Sequence, residues 1–563
     1  MKASKKLGCI LLVVVILIAA VACSGNSDPE PGSSAPATSA STSSSSQPAA
    51  SGGADAADSD FPGGWLPTTS YDERVTFTMA TVQTLEGYDY TAGDDYVKWW
   101  SDNFNYDIEV TSLTFDTWSE RLRLWINSGD MPDICVFDYK HPDAASYVDQ
   151  GLIKELPDGW KERWPTLASV HDKTTLGPEI EKIFDGNYFL PRARFDQNIP
   201  GDPLPDHIAF WYRKDWADAV GFPIKTTYKT SELIDYGVLV KDQDPGALGA
   251  NLLPISSRPN WAMRCFVGSN NTHYKTFYKG DDGTYQWGPA SQDTLTGLKL
   301  YLEAFQSGAL NPEFFTLKDI DDYDQFRVSA VSGGYFGEAP TSTLHSNRIQ
   351  YFGVNTSLDP DECVGVATIL GEDGNYHQED LINYWGTIIF NPDISDVKFE
   401  RYMDMLDFGC TEQGYLLQRV GFEGTDWEYD ANGEIVSLLP EGQNLAGQTG
   451  KYPGNSYVIA VAKLADDFAF QNPNIKKAYR DESWVLYTER CQIATPQSFS
   501  ATDWDLFTFD SPSMRKTLLD FDTEYTNLVT TAKDEADLEA LWLKWIEQQM
   551  PIIQPVLDEL NAM

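Results

Sequence analysis

This chain of 563 residues lacks the short motifs that announce catalysis. It contains no HExxH, no GxSxG and no phosphate-cradling GxxxxGKS/T. Histidine is scarce, six in all, at 141, 171, 207, 273, 345 and 377, without the spacing of a ligand set. Seven cysteines stand at 9, 23, 135, 265, 363, 410 and 491, and none forms a CxxC pair. That excludes a zinc ribbon and gives no sign of a disulfide framework, while one pair among the five beyond Cys23 stays open. Basic residues are few, 41 against 84 acidic, for a net charge of −43. Such a surface repels phosphate backbones and argues against nucleic-acid partners and against adsorption on anionic lipid. Long apolar runs are confined to Leu7–Ala22, short for a comfortable bilayer span. No internal repeat is present.

Aromatic rings are abundant: 17 Trp, 28 Tyr and 28 Phe make 13% of the chain. Rings fill cores, and their flat faces also suit the apolar face of a sugar ring. The count does not separate the two uses. The length exceeds what one hydrophobic core serves, so two globular lobes or more are expected. Lys2, Lys5 and Lys6 precede the apolar run, the pattern of a targeting segment over 1–22. The run ends Ala20-Val21-Ala22-Cys23, which resembles the lipobox of bacterial lipoproteins, with Ala20 where a leucine is usual. The resemblance implies lipidation at Cys23. An ordinary secretory signal and an uncleaved anchor are the alternatives. Residues 23–60 are almost all Ser, Ala, Pro, Gly, Thr and Asp and read as a disordered tether. At ~5–6 Å × √n it spans roughly 30–35 Å.

From Tyr71 onward strands alternate with helices. Val75–Met79 alternates like a strand, and Tyr106–Val110 and Ile134–Phe137 read as two more. Tyr96–Phe104 and the amphipathic Thr117–Ser128 read as the helices between them. This order indicates an α/β fold with parallel strands. Ile208–Phe222 reads strand, turn, short helix, with Asp215 where a helix start favours a carboxylate. Leu253–Asn270 reads as loop, Phe326–Phe336 as a strand followed by a glycine loop, and Cys363–Leu370 as a strand. Two hairpins are marked by Asp281-Asp-Gly283 and by Asn432-Gly433, the latter a type I′ signal. The remainder is largely helical, and Ala536–Met550 carries a core stripe of Leu538, Leu541, Trp542 and Trp545.

Several of these stretches, in this order, resemble family 1 extracellular solute-binding proteins of ABC importers. Gly129-Asp-Met-Pro-Asp133 resembles the family's "GDxPD", Gly151–Pro157 its "G-liepL" turn, and Asn187–Pro191 its "yalP" strand. Ala209-Phe-Trp-Tyr-Arg-Lys-Asp-Trp216, with Val220–Pro223 and Thr230–Leu233, resembles "lwyRkDWLdklGlk.PtTxdEl". Gly421–Ile435 resembles the "GiEGvhYe.d.dGki" of a Firmicutes lipoprotein branch that mostly imports oligosaccharides. The resemblance implies a two-lobed periplasmic-binding-protein-like fold, type II with a long hinge, with a ligand cleft between lobes. It implies an N-terminal lobe over 71–207 plus about 372–455, and a C-terminal lobe over 208–371 plus about 456–563. Asp206–Ala209 becomes the expected first hinge segment. The implied partners are an oligosaccharide, the permease subunits of an ABC transporter and, through a lipid anchor, the extracellular face of the cell membrane. A monomer without enzymatic activity is expected.

Sugars need flat rings and hydroxyl partners. Loops after strands supply the candidates Asp138, Tyr139, Trp261, Tyr335, Trp385, Glu423 and Trp427. Trp261 and Trp385 would stack on sugar rings, while Asp138 and Glu423 would accept hydroxyl protons; core packing is the competing role for each tryptophan. Arg213 either contacts ligand or fixes the hinge through Asp215. No cofactor is expected. Glu428, Asp430, Asn432 and Gly433 partly imitate a calcium loop, but its twelfth position is Leu439, so a hairpin explains them better. The same fold holding a peptide or another small solute, and a secreted polysaccharide-degrading enzyme, are the competing readings.

Overall fold

Every second side chain of β1 (Val75–Thr81) enters one apolar layer through Val75, Phe77 and Met79, and Ala80 enters the layer behind. The other face is open at Thr76, half-buried at Thr78 and covered only from Ala80, so the strand alternates along most of its length. β2 (Tyr106–Ser112) and β3 (Ile134–Phe137) pair with β1 in parallel on either side. β4 (Leu190–Ala193) ends the first run of the chain. A second sheet follows, from β5 (Ile208–Arg213) and β6 (Thr227–Lys229). The hairpin of β7 (Phe277–Lys279) and β8 (Tyr285–Trp287) stands beside it. Next come β9 (Gly334–Glu338) and β10 (Val364–Leu370), and β11 (Tyr384–Phe390) then returns to the first sheet. A last hairpin joins β12 (Trp427–Tyr429) to β13 (Ile435–Ser437).

The coordinates are a computed structural model. It describes residues 61–563 except 83, 86, 138–142, 175, 194–207, 319, 339–340, 378–383, 441–442, 448–449, 456–470, 496–497 and 499–502. The first sheet has the order β2-β1-β3-β11-β4, with β11 antiparallel to both neighbours; the second has the order β6-β10-β5-β9. The result is an α/β fold with mixed sheets. All six residues of β5 are buried: Ile208, Phe210 and Tyr212 enter one core layer, Ala209 and Trp211 the other. Burial on both faces explains the continuous apolar run there, where β1 shows alternation.

Helix ends follow local chemistry. The Asp94 side chain accepts from the Tyr96 and Val97 N–H groups and starts the helix Asp95–Asn103. Gly129, at φ 77°, ends the helix Phe115–Ser128. The strand-turn-helix reading of Ile208–Phe222 holds, with the helix at Lys214–Ala219 and Asp215 in its first turn.

Four expectations are corrected. The packed body includes residues ahead of the expected start near Tyr71, because Phe61 packs among Trp65, Trp99, Phe104 and Phe408. Leu253–Asn270 holds helix Pro259–Met263 and a π-helical turn Arg264–Gly268, so it is not loop throughout. Phe326 closes helix Asp321–Arg327, and the strand begins only at Gly334, where an added Cβ would strike the Phe210 ring. The Asn432-Gly433 hairpin is present, but Gly433 alone has positive φ, at 80°. The Asp430 carboxylate accepts the Asn432 and Glu434 N–H groups, which favours a type I turn followed by a left-handed glycine over type I′. The C-terminal helix runs from Glu535 to Leu560, through Pro551 and Pro555. Burial of Ile553, Val556 and Leu560 in the large core outweighs the backbone bonds those prolines forgo. Its expected stripe is core as read: Leu538, Trp542 and Trp545 are buried, and the Trp542 indole donates to the Pro289 carbonyl at 3.0 Å.

Candidate functional site

After β9 the chain winds through helix Thr341–His345 into a π-helical stretch, Ser346–Phe352. The wider π turn sorts its side chains differently from an α-helix. Asn347 and Arg348 go inward. Asn347 Nδ2 donates to the Tyr335 hydroxyl at 2.6 Å. Arg348 donates to the Val364 carbonyl through Nε at 3.2 Å and Nη2 at 2.7 Å, and pairs with Glu482 at 2.5 and 2.9 Å. These bonds pin the turn to β10 and to helix Lys477–Ile493. Ser346, Gln350 and Tyr351 are left facing two adjoining pockets that share Ser346.

The first pocket holds about 190 Å3 and is ringed by Tyr323, Tyr335 and Tyr351, with Arg327 and Glu338. The Arg327 guanidinium lies 3.8 Å from the Tyr351 ring centre and 5.1 Å from that of Tyr323. The Tyr323 and Tyr335 rings are 4.8 Å apart, and Tyr335 stacks on Trp211 at 6.1 Å. Burial raises the pKa of Tyr323 and Tyr335, so both stay neutral phenols.

The second pocket holds about 220 Å3. One wall is His345, Ser346 and Gln350; facing it are Gln418, Arg419, Asn444 and Leu445, with Asn472 and Asn474 closing the end. Gln418 and Arg419 lie in helix Glu412–Val420, which packs against the Asp396–Gly409 helix over the first sheet. The groove therefore has walls from both sheets' surroundings, and together its pockets fall within the ~300–1,000 Å3 of small-molecule sites. His345 is 3% exposed, and neither ring nitrogen has a hydrogen-bond partner among the described residues. Burial, with Lys476 nearby, lowers its pKa, so the imidazole is neutral at pH 7.

The sequence candidates are scattered by the fold. Tyr335 alone among the described ones borders the groove, and it too is core: it is 1% exposed, its ring stacks on Trp211 and its hydroxyl is bonded to Asn347. Trp261 is buried in the large core with the Arg264 guanidinium 4.8 Å from its ring, so it offers no face for a sugar. Trp427 is also core: it is 2% exposed, packs on Leu416 and Val420, and donates to the Gly421 carbonyl at 2.9 Å. Glu423 is exposed on the turn before that hairpin and lines neither pocket. Arg213 pairs with Asp215, at 2.7 Å through Nε, and lies 4.5 Å from the Trp216 ring. It closes β5 inside the second sheet's core and reaches neither pocket. Trp385 sits on β11, its side chain outside the described residues, as are Asp138, Tyr139 and Cys23. The hinge expectation at Asp206–Ala209 falls largely there too. Sequence reasoning missed His345, Ser346, Gln350 and Asn444. They carry no motif, and a π turn breaks the 3.6 period used to read faces.

Among the described residues one His–carboxylate group has metal-like spacing: His171, Asp172 and Glu181, within 4.8 Å. The Lys161 ammonium sits 2.8 Å from Asp172 and 2.5 Å from Glu181, so a cation already fills that position. The Asp430 turn is the hairpin described above. The five described cysteines, Cys135, Cys265, Cys363, Cys410 and Cys491, are all free, and burial pushes the Cys363 thiol up to about 11.

No protein-family model matches the sequence, and no curated protein matches it. Solved structures do match the fold. The alginate-binding protein AlgQ2, in a structure without calcium ion, has a TM-score of 0.61 at 15% identity, over 88% of this chain and 98% of that one. The Streptococcus pneumoniae ABC-transporter substrate-binding protein FusA, in complex with kestose, has a TM-score of 0.55 at 16% identity, over 86% and 99%. The N-glycan transport solute-binding protein NgtS from Streptococcus pneumoniae, in complex with Man5GlcNAc, has a TM-score of 0.54 at 11% identity, over 86% and 97%. At these identities the likeness shows the fold, that of periplasmic-binding-protein-like substrate-binding proteins.

Proposed function

We propose that this chain is the extracellular substrate-binding lipoprotein of an ABC importer and that it holds an oligosaccharide in the groove along Thr341–Phe352. The observation that carries the reading is the pairing of a pocket edged by the half-buried Tyr323 and Tyr351, with Tyr335 packed behind them, with a carboxamide-rich one, walls of the kind that receive a ring face and a set of hydroxyls. The fold supports it, because structures sharing it are described as binding alginate, kestose and an N-glycan.

In this reading the chain performs no chemistry. It closes on ligand and presents it to permease subunits, a monomer tethered to the outer face of the membrane through Cys23 and residues 23–60. Lobes of 71–207 with about 372–455, and of 208–371 with about 456–563, agree with the two sheets, which draw strands from 75–193 with 384–390 and from 208–370.

The test is thermal unfolding of the detergent-solubilised full-length protein against an oligosaccharide panel. One glycan should give a saturable rise, equivalent to about 2.7 kcal/mol at 100 times its Kd, with the sugar recovered intact. Stabilisation by short peptides and by no glycan overturns the reading, and so does release of shorter sugars from polysaccharide.

A further inference from the structure

The two ends of the groove differ in a way that speaks to the ligand's charge. Five carboxamides line the second pocket: Gln350, Gln418, Asn444, Asn472 and Asn474. No carboxylate is among its lining residues, in a chain with 84 acidic side chains. A carboxamide both donates and accepts, as a hydroxyl does. The single cation of the wall, Arg419, already has partners of its own and lies over the Tyr415 ring at 6.0 Å. A carboxylate or sulfate on the ligand would find no free cation among the described lining residues, within a protein of net charge −43.

His345 sharpens the point. Its neighbours on the turn spend their polar atoms inward: Asn347 on Tyr335, Arg348 on Val364 and Glu482. The imidazole lines the pocket, 97% buried, with both nitrogens unpartnered among the described residues. A buried polar group in that condition is uncommon and unfavourable, and calls for a partner supplied from outside the chain. A neutral imidazole offers one donor and one acceptor, which a sugar hydroxyl matches in either sense. Gln350 and Asn444 stand half-buried in the lining of the same pocket, and no hydrogen bond within the described residues engages their amides.

We propose that this carboxamide-lined end takes an uncharged, hydroxyl-bearing sugar unit and that His345 is the side chain that selects it. The proposal rests on the oligosaccharide reading above. Arg490 is the structural argument for an acidic sugar instead: its guanidinium is fully buried, donates to the Thr368 hydroxyl at 2.7 Å and leaves Nη1 and Nη2 unpartnered among the described residues. It lines neither pocket, so the groove's described walls favour a neutral unit.

The experiment is calorimetric titration of the detergent-solubilised full-length protein and three variants with matched probes. Neutral malto-, cello-, xylo- and fructo-tetraoses are set against oligogalacturonate and oligomannuronate of the same length. One neutral probe should bind at least about 10-fold more tightly than either uronate, the scale of one hydrogen bond. His345→Ala should weaken that probe about 10-fold, and His345→Gln, which keeps a donor and an acceptor, should restore most of the loss. Asn444→Ala, at a half-buried position that does not depend on the ring, should weaken it several-fold. Uronates binding as tightly as neutral probes overturns this inference and leaves the oligosaccharide reading standing. Unchanged binding in a folded His345→Ala overturns the role of that residue. Binding of peptides and of no glycan overturns the reading beneath both.

Discussion

Asp404 and His345 are both buried polar side chains, and the fold provisions them in opposite ways. Asp404 accepts from the Thr68 N–H and hydroxyl, the Tyr71 hydroxyl and the Trp164 indole, at 2.7 to 3.1 Å. One turn on, Asp407 accepts from the Trp65 indole and the Thr166 and Leu167 N–H groups. Together they clamp the segment from Trp65 to Tyr71 to helix Asp396–Gly409. His345, on the groove wall, has no such partners among the described residues. A fully bonded buried carboxylate holds structure together, whereas an unbonded imidazole beside a pocket has its capacity in reserve. Stability should therefore reside in the clamp and recognition in the groove, and each can be tested separately.

The largest effect is expected at the clamp. Asp404→Ala should cost about 3–5 kcal/mol, because four donors lose a common acceptor and a cavity opens. Chemical denaturation measures it. Glycan affinity of the molecules that remain folded should be unchanged, and a parallel loss of affinity would erase the distinction between the two regions.

Arg348→Ala comes next and blurs the comparison by design. It orphans the Val364 carbonyl and releases the π turn, at about 2–4 kcal/mol. Here stability and affinity should fall together. His345→Ala should lower affinity about 10-fold while moving the unfolding free energy by less than ~1 kcal/mol, since a buried unpaired polar group is removed. A large destabilisation with normal binding would make the ring a packing element.

Acidification separates the regions by sign. Burial lowers the pKa of His171, His273 and His345, so the unfolded chain binds more protons than the folded one below about 6.5. Their contribution to stability is present above that pH and is lost as pH falls from there toward the depressed folded values. Burial raises the pKa of Asp404 against its hydrogen bonds, so the folded state holds that proton more tightly. Its contribution is favourable at low pH and is lost as pH rises from about 3.8 through the raised folded value. A decline in stability between pH 6.5 and 5 that disappears in the triple His→Gln variant would assign that slope to the imidazoles.

Glu423→Ala should change least, within about 0.5 kcal/mol and without effect on glycan binding, because the side chain is exposed and away from both pockets. A ten-fold affinity loss there would move the binding site toward the hairpin.

The amino-acid sequence determined more of the fold than of the site. Strands β1 to β3, the strand-turn-helix at Ile208–Phe222, both hairpins and the core stripe of the last helix were legible, because period, capping and turn chemistry act over a few residues. Elsewhere contacts outside the pattern that was read decided the outcome. Burial of Ile553 and Val556 carried a helix through Pro551 and Pro555. The Asp430 carboxylate chose the hairpin's turn. Of the sequence candidates among the described residues, only Tyr335 borders the proposed groove, and it does so as a buried residue. Trp261 and Trp427 are aromatic residues near turns, as a sugar site wants, yet a tryptophan's role depends on which face is covered, and that is settled by helices far along the chain. His345, Gln350 and Asn444 are ordinary in sequence. Only the tertiary structure brings 345–350, 418–419, 444–446 and 472–475 to one cavity, and only there does the lack of a carboxylate among the described lining residues become visible. Composition made the whole protein acidic; packing decided where it is not.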